Sequence, residues 1–248
     1  QLLGGMVREK VPLSHSLSMG DPADIAAQAR QLIDQGYRTL KAKIGRDIDA
    51  DIAALTAVRA EIGREITLRV DANMGWPSAK EAVRHIEKIQ AFDLELVEQP
   101  LPPDDIEGLR FVRERVDVPI MADESVWTPT DAMQCVRHQA VDVFNVYVSE
   151  AGGLGPAARI FAIAEAARLP CTIGSMPELG IGTAAQAHLA FAMPNLGYAS
   201  DVNGCVYHSG DVIAEKLPIE NGYLLPPPGP GLGVSLDEAA LAEYRFDR

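Results

Sequence analysis

Two lysines, Lys41 and Lys43, are followed along the chain by Asp71, Glu98 and Asp123, each closing a short apolar run. In Thr39-Leu40-Lys41-Ala42-Lys43-Ile44 the strand period of two puts Leu40, Ala42 and Ile44 on one face and both lysines on the other. The same parity in Leu68-Arg69-Val70-Asp71-Ala72-Asn73 turns Asp71 and Asn73 away from Val70 and Ala72. Leu96-Val97-Glu98-Gln99-Pro100 and Ile120-Met121-Ala122-Asp123-Glu124-Ser125 end alike. Taken singly, each carboxylate reads equally well as a helix cap or a loop salt bridge. In register they read as one site. Three such charges in a low-dielectric setting repel one another unless a hard divalent cation joins them or some take up protons. Oxygen ligands favour magnesium over zinc, and three carboxylates leave positions of an octahedron open to substrate and water.

Positioning those side chains together requires repeated strands. Short β-branched segments alternate with longer amphipathic ones, the pattern of βα units that build a parallel sheet. The candidate strands end near Ser16, Lys43, Asp71, Glu98, Asp123, Tyr147, Ser175 and Asp201. The last seven recur about every 24 to 28 residues without any repeat of sequence. Helical stretches run from Asp51 to Ile62, Ser78 to Gln90, Asp104 to Val116, Thr130 to His138, Gly155 to Leu169 and Gly182 to Ala192, several behind Ser, Thr or Asp caps. Eight strands and their helices in about 200 residues fit a closed α/β barrel of the TIM type better than an open, doubly wound sheet. The open sheet would want a glycine fingerprint after its first strand, and Ile44-Gly45-Arg46-Asp47 is not one. In such a barrel the site lies at the C-terminal ends of the strands, where the charged residues fall.

Beyond Asn203 the pattern fades into a Pro- and Gly-rich stretch from Pro226 to Gly233 and a short helical segment near Asp237 to Tyr244. The expectation is a single catalytic barrel domain over 1–248, with its core over about 11–203 and a C-terminal wrapping segment over about 204–248. A net charge of -13 argues against a nucleic-acid partner. No apolar run approaches the length of a membrane helix, and Cys135, Cys171 and Cys205 lack the close pairing of a disulfide framework or zinc site, so a reducing cytoplasm is the simplest location. Gln1 opens neither a signal peptide nor a normal initiator sequence, so the start looks cut.

The Lys-x-Lys of the second strand, Asp-x-Asn of the third, Glu-Gln-Pro of the fourth and Asp-Glu-Ser of the fifth, in this order and spacing, resemble the muconate lactonizing enzyme subgroup of the enolase superfamily. Gly152-Gly153, Gly174-Ser175-Met176-Pro177-Glu178, Ile181-Gly182 and Ala187-His188-Leu189 extend the likeness. The resemblance implies a (β/α)7β-like barrel with one magnesium ion per active site at Asp71, Glu98 and Asp123, Lys43 as general base and Lys41 as electrostatic support. It also implies an N-terminal capping domain that this chain lacks, a small carboxylate as substrate and a homo-oligomer. The reaction implied is removal of the proton alpha to that carboxylate through a metal-stabilised enediolate. Fixed positive charge where the second negative charge develops is the main catalytic need.

One strand departs from the family. The subgroup usually carries a second lysine on the sixth strand, and the aligned residue is Tyr147. A phenol suits proton donation better than abstraction. Beta-elimination by a dehydratase-type lyase, or cycloisomerisation, is therefore preferred, with Tyr147 either as acid or as pocket lining; racemisation or epimerisation of an amino or hydroxy acid is the alternative isomerase reading. A further alternative is a carboxylate- or metal-binding barrel without turnover. Asn73, Glu124, Ser175, Glu178 and Asp201 are candidates for substrate contact or support, and Asp201 or Glu178 could hold a cationic nitrogen. His15, Ser16 and Tyr207 read either as pocket lining or as surface, and His188 as a packing residue.

Overall fold

The computed structural model describes residues 2–245; Gln1 and residues 246–248, the ends of the expected domain, lie outside the described residues. Seven parallel strands curl in sequential order: β1 (Ser14–Leu17), β2 (Thr39–Lys43), β3 (Thr67–Asp71), β4 (Leu94–Glu98), β5 (Ile120–Ala122), β6 (Val143–Val146) and β7 (Cys171–Ile173). The expected eighth strand is an irregular segment instead. Residues 195–201 run between β7 and β1 and bond to both, through Gly197 N to Cys171 O and Asp201 N to Ile173 O on one side, and Ser200 N to Pro12 O and Ser14 N to Ser200 O on the other. Those bonds close the cylinder. Three of the expected strand ends fall just past the ladder: Asp123 and Tyr147 follow β5 and β6 by one residue, and Ser175 follows β7 by two.

Helices α1 (Pro22–Asp34), α2 (Ile48–Ile62), α3 (Ala79–Ile89), α4 (Ile106–Arg113), α5 (Pro129–His138), α6 (Leu154–Ala166) and α7 (Gly180–Ala192) connect successive strands, which gives eight chain passes and seven helices. Their starts are set by side chains that accept orphan backbone N–H groups: Asp21, Asp47, Ser78 and Asp105 cap α1 to α4, and Thr128 with Asp131 forms a reciprocal capping box on α5. Helix α1 lies outside the helical stretches expected from periodicity. Its signals are present, with Asp21 as cap, Pro22 in the first turn, and Ile25, Ala29 and Leu32 buried at helical spacing.

After residue 203 the chain forms a 3-10 turn (Gly204–Tyr207) and two short strands, Ile219–Glu220 and Tyr223–Leu224. The latter pairs antiparallel with Val11–Pro12, just ahead of β1. Helix α8 (Glu238–Tyr244) ends the described chain. Among the described residues no helix is long and apolar enough to cross a membrane.

Two apolar layers support the barrel. The large one lies between strands and helices and takes the outward side chains Leu40, Ala42, Leu68, Val70, Val97, Phe144 and Val146. A small one, Leu96, Met121 and Val143 with Tyr198 against them, fills the interior near the floor. Fully buried Arg69 shares that interior, bonded to Glu95 and to Ala199 O at 2.8 Å. The interior is a packed plug and leaves only its upper rim for chemistry.

Candidate active site

Parallel pairing sets Lys43 beside Asp71 and Asp71 beside Glu98, so the ends of β2, β3 and β4 deliver their charges at one level. Asp123 joins them from the turn after β5. That turn is held by Gln99, a fully buried residue in left-handed backbone (φ 34°) whose Oε1 accepts from Asp123 N at 2.9 Å and Ser125 N at 3.3 Å. Its Nε2 donates to Ser125 Oγ and Leu101 O, each at 2.8 Å. Asn73 and Met74 are also left-handed, with φ of 41° and 63°. Such backbone costs energy for non-glycine residues and collects at sites where side chains must be aimed.

Asp71, Glu98 and Asp123 are buried, and one oxygen of each lies within 4.8 Å of the others. The set can hold a metal ion. Around it, Lys43 Nζ donates to Asp71 Oδ2 at 2.6 Å and to Asn73 Oδ1 at 2.8 Å. Lys41 is deeper, with Nζ 2.7 Å from Asp201 Oδ2, 3.2 Å from Glu98 Oε1 and 4.0 Å from Asp71 Oδ2. Ser14 Oγ donates to Asp201 from β1. Glu98 Oε2 lies 3.1 Å from Lys41 Nζ without hydrogen-bond geometry and is a buried acceptor that makes no hydrogen bond. An orphaned carboxylate oxygen among two other carboxylates, with only oxygen donors, fits a hard divalent cation.

The electrostatics agree. Burial, and then Glu98, raise Asp71; burial and the same neighbour push Asp123 well above the carboxylate range, and burial raises Glu124. These carboxylates are short of positive charge. Burial alone would lower Lys41, but Asp201, Glu98, Asp71 and Asp123 outweigh it and hold the ammonium well above its ordinary value. Asp201 is lowered: burial opposes its charge, and Lys41 and Ser14 overcome it.

The other expected residues divide. Glu124 accepts from Asn73 Nδ2 at 3.2 Å, so Lys43, Asn73 and Glu124 form one chain of contacts. Ser175 Oγ donates to Glu178, which also accepts from Ser149 Oγ at 3.1 Å. Ser175 and Glu178 bond to one another and to Ser149, not to the triad, whereas Asn73 N donates to Asp71 Oδ1 at 2.8 Å. Tyr147, 6% exposed, donates to Asp123 Oδ2 at 2.9 Å, and burial followed by Asp123 and Glu98 raises it well above 10. His15 points outward from β1, its ring 4.7 Å from Tyr207 and 5.1 Å from Tyr37, while Ser16 N donates to Tyr207 Oη at 3.1 Å. His188 has a buried Nε2 without a hydrogen bond beside a mostly apolar cavity, away from the triad.

Asn145 was not singled out from the sequence, yet its Nδ2 donates to Glu98 Oε1 at 3.0 Å. Its signal was parity, two residues before Tyr147 on the same strand. Gln99 stands in the Glu-Gln-Pro string, but parity gives it no role, since the left-handed backbone is what turns it toward the next strand.

The model of the family described as Enolase C-terminal domain-like matches residues 24–240. An L-Ala-D/L-Glu epimerase from Bacillus subtilis is 38% identical over 237 residues, covering 94% of this chain and 64% of that protein. Muconate cycloisomerase 1 from Acinetobacter baylyi is 33% identical over 247 residues, covering 99% of this chain and 66% of that one. A dipeptide epimerase from Enterococcus faecalis, solved in complex with Mg and the dipeptide L-Leu-L-Tyr, superposes with a TM-score of 0.89 at 37% identity, over 95% of this chain and 66% of that one. The chain thus spans slightly less than two thirds of the length of these relatives.

Proposed function

The chain belongs to the enolase C-terminal domain-like family, and from that premise we propose that it removes the proton alpha to the carboxylate of a small substrate with the help of magnesium held by Asp71, Glu98 and Asp123. The observation that carries the reading is three buried carboxylate oxygens within 4.8 Å of one another, with two lysines paired to them. When bound, the ion supplies positive charge against the charge that develops on the substrate carboxylate. Lys41, pinned between Asp201 and Glu98, stays protonated and adds fixed positive charge. Lys43 is more accessible, its side chain 29% exposed, and takes the proton at Nζ. Asn73 orients that nitrogen and is itself held by Glu124.

Strand β6 stands four strands from β2 around the barrel, so Tyr147 faces the substrate from the opposite wall. It keeps its proton and can give one but not take one at neutral pH. A single base favours cycloisomerisation or elimination. The likeness to dipeptide epimerases supports epimerisation as the second reading, with Glu178 on the rim as the carboxylate for a substrate ammonium, because Asp201 is already paired with Lys41 and Ser14.

The reading includes a capping domain over a single barrel domain. Met19, Met74, Trp127, Met176, Leu179 and Tyr207, all exposed, sit in the loops that follow β1, β3, β5, β7 and the closing segment. An apolar rim of this kind is suited to burial under a partner. Three unpaired cysteines suit a reducing cytoplasm.

The test is solvent deuterium exchange into a panel of carboxylates that includes dipeptides and muconate, with the full-length enzyme and magnesium. Exchange that needs the metal and disappears in Lys43→Ala is expected; undiminished exchange in that variant would sink the assignment. Scrambled stereochemistry in the recovered substrate would select epimerisation over a one-sided reaction.

A further inference from the structure

Strand β6 brings two uncharged side chains to the edge of the triad. Asn145 and Tyr147 are consecutive inward positions, 1% and 6% exposed. Asn145 Nδ2 donates to Glu98 Oε1 at 3.0 Å and reaches Asp123 Oδ2 at 3.4 Å, and Tyr147 Oη donates to that same Asp123 oxygen at 2.9 Å. The two donors are 3.5 Å apart. The phenol lies where it does because the residue just past the neighbouring strand β7 is Gly174: a Cβ there would stand 2.3 Å from the ring carbon Cζ and 2.7 Å from the hydroxyl. Any larger residue would push the ring off Asp123. The space is therefore specific to this orientation of the phenol.

Carboxylates that share one small space repel and, without restraint, swing apart about χ1 and χ2. A donor on one oxygen fixes the torsion and leaves the other oxygen for a ligand. Neutral donors do this without adding a charge, whereas an ammonium in the same place would compete with a cation for the carboxylates. From this arrangement we propose that Tyr147 and Asn145 are positioning residues for the divalent ion, holding Asp123 and Glu98 in ligating orientation and raising the affinity of the site. The inference rests on the metal reading above and adds to it. It is separate from any transfer of the Tyr147 proton, which acts on substrate. A phenol where relatives carry a lysine then has a gain: no third ammonium joins Lys41 and Lys43 in pairing with the triad.

The experiment is Mn²⁺ binding to the metal-stripped full-length enzyme, followed through the EPR signal of free Mn²⁺, with thermal unfolding of the metal-free proteins alongside. Tyr147→Phe keeps the ring and removes one hydrogen bond, and should weaken binding by about tenfold or more, in line with other supporting partners of metal ligands. Asn145→Ser, which withdraws a donor from two carboxylates, should weaken it at least as much. Tyr147→Lys should weaken it further, by charge. A merely structural role would lower the unfolding temperature and leave the dissociation constant alone. Binding by Tyr147→Phe and Asn145→Ser within twofold of the parent overturns the proposal, as does undiminished binding by Tyr147→Lys. Absence of binding by the parent chain overturns the metal reading itself, and this one with it.

Discussion

The two ends of the barrel interior are built by the same strands on opposite principles. Near the floor, β4, β5 and β6 point Leu96, Met121 and Val143 at one another, and the single buried cation there, Arg69, is neutralised by Glu95 although its Nη2 makes no hydrogen bond. Two residues further along, the same strands and the turns after them point Glu98, Asp123 and Asn145 into the mouth, where carboxylates crowd and Glu98 Oε2, Glu124 Oε2 and Asn145 Oδ1 are buried without a hydrogen bond. Apolar packing stabilises and wants nothing. Crowded charge is costly unless something arrives to balance it, so it marks the end of the barrel at which binding happens. Mutations that separate the two ends should therefore have opposite signs for stability and unequal consequences for chemistry.

The largest separation is expected at Lys43. Lys43→Ala in the full-length enzyme should cut α-proton exchange by about 10³-fold, the scale of a lost general base. Isotope exchange followed by NMR checks it; a loss below tenfold would move the base elsewhere. On the floor, Leu96→Ala should leave the dissociation constant for Mn²⁺ unchanged and cost about 3 kcal/mol of stability through the cavity it leaves, read by urea unfolding. A floor mutation that altered metal affinity more than stability would break the division.

How much of this division was legible beforehand depends on what periodicity can see. Period-two parity put Lys41, Asp71 and Glu98 on the inward face correctly, because those residues lie inside regular strands. It said less where the ladder stops. Asp123 and Tyr147 stand one residue past their strands, and the last pass of the barrel is irregular backbone that no alternation could announce. The contacts of Gln99 depend on a positive φ that alternation does not carry, and the apolar face of helix α1, Ile25, Ala29 and Leu32, is too small to stand out by periodicity. The likeness to a family supplied the roles; the interatomic distances supplied Asn145 and the bond from Tyr147 to Asp123.

A smaller effect of opposite sign is expected at the mouth. Asp123→Asn keeps an acceptor for Tyr147 and removes one of three repelling charges. The metal-free variant should gain about 1 kcal/mol in stability relative to the metal-free parent, a typical increment for relief at a site strained for function, and lose Mn²⁺ binding. Parallel unfolding of the two proteins in EDTA checks it. Equal or lower stability would mean that Asp123 is held by more than its role as a ligand.

The finest test is pH. Asp71 and Asp123 have folded-state pKa values raised above those of the unfolded chain, so between the two values the native state binds more protons. Their contribution is fully present below the unfolded value and is lost as pH rises through the folded one. Asp201 runs the other way: its pKa is lowered, so its contribution is present above the unfolded value and is lost as pH falls through the folded one. In EDTA, stability should therefore decline as pH climbs from the ordinary carboxylate range toward neutrality, with Asp201 limiting the gain at the acidic end. Magnesium at 100 times its dissociation constant adds about 2.7 kcal/mol by mass action, and because protons compete for the same oxygens, that constant should fall as pH rises. The gap between unfolding temperatures with and without a fixed concentration of magnesium should then widen with pH. A gap independent of pH would show that the mouth carboxylates are already ionised in the metal-free protein, and that the repulsion distinguishing mouth from floor is compensated by Lys41 and Lys43 alone.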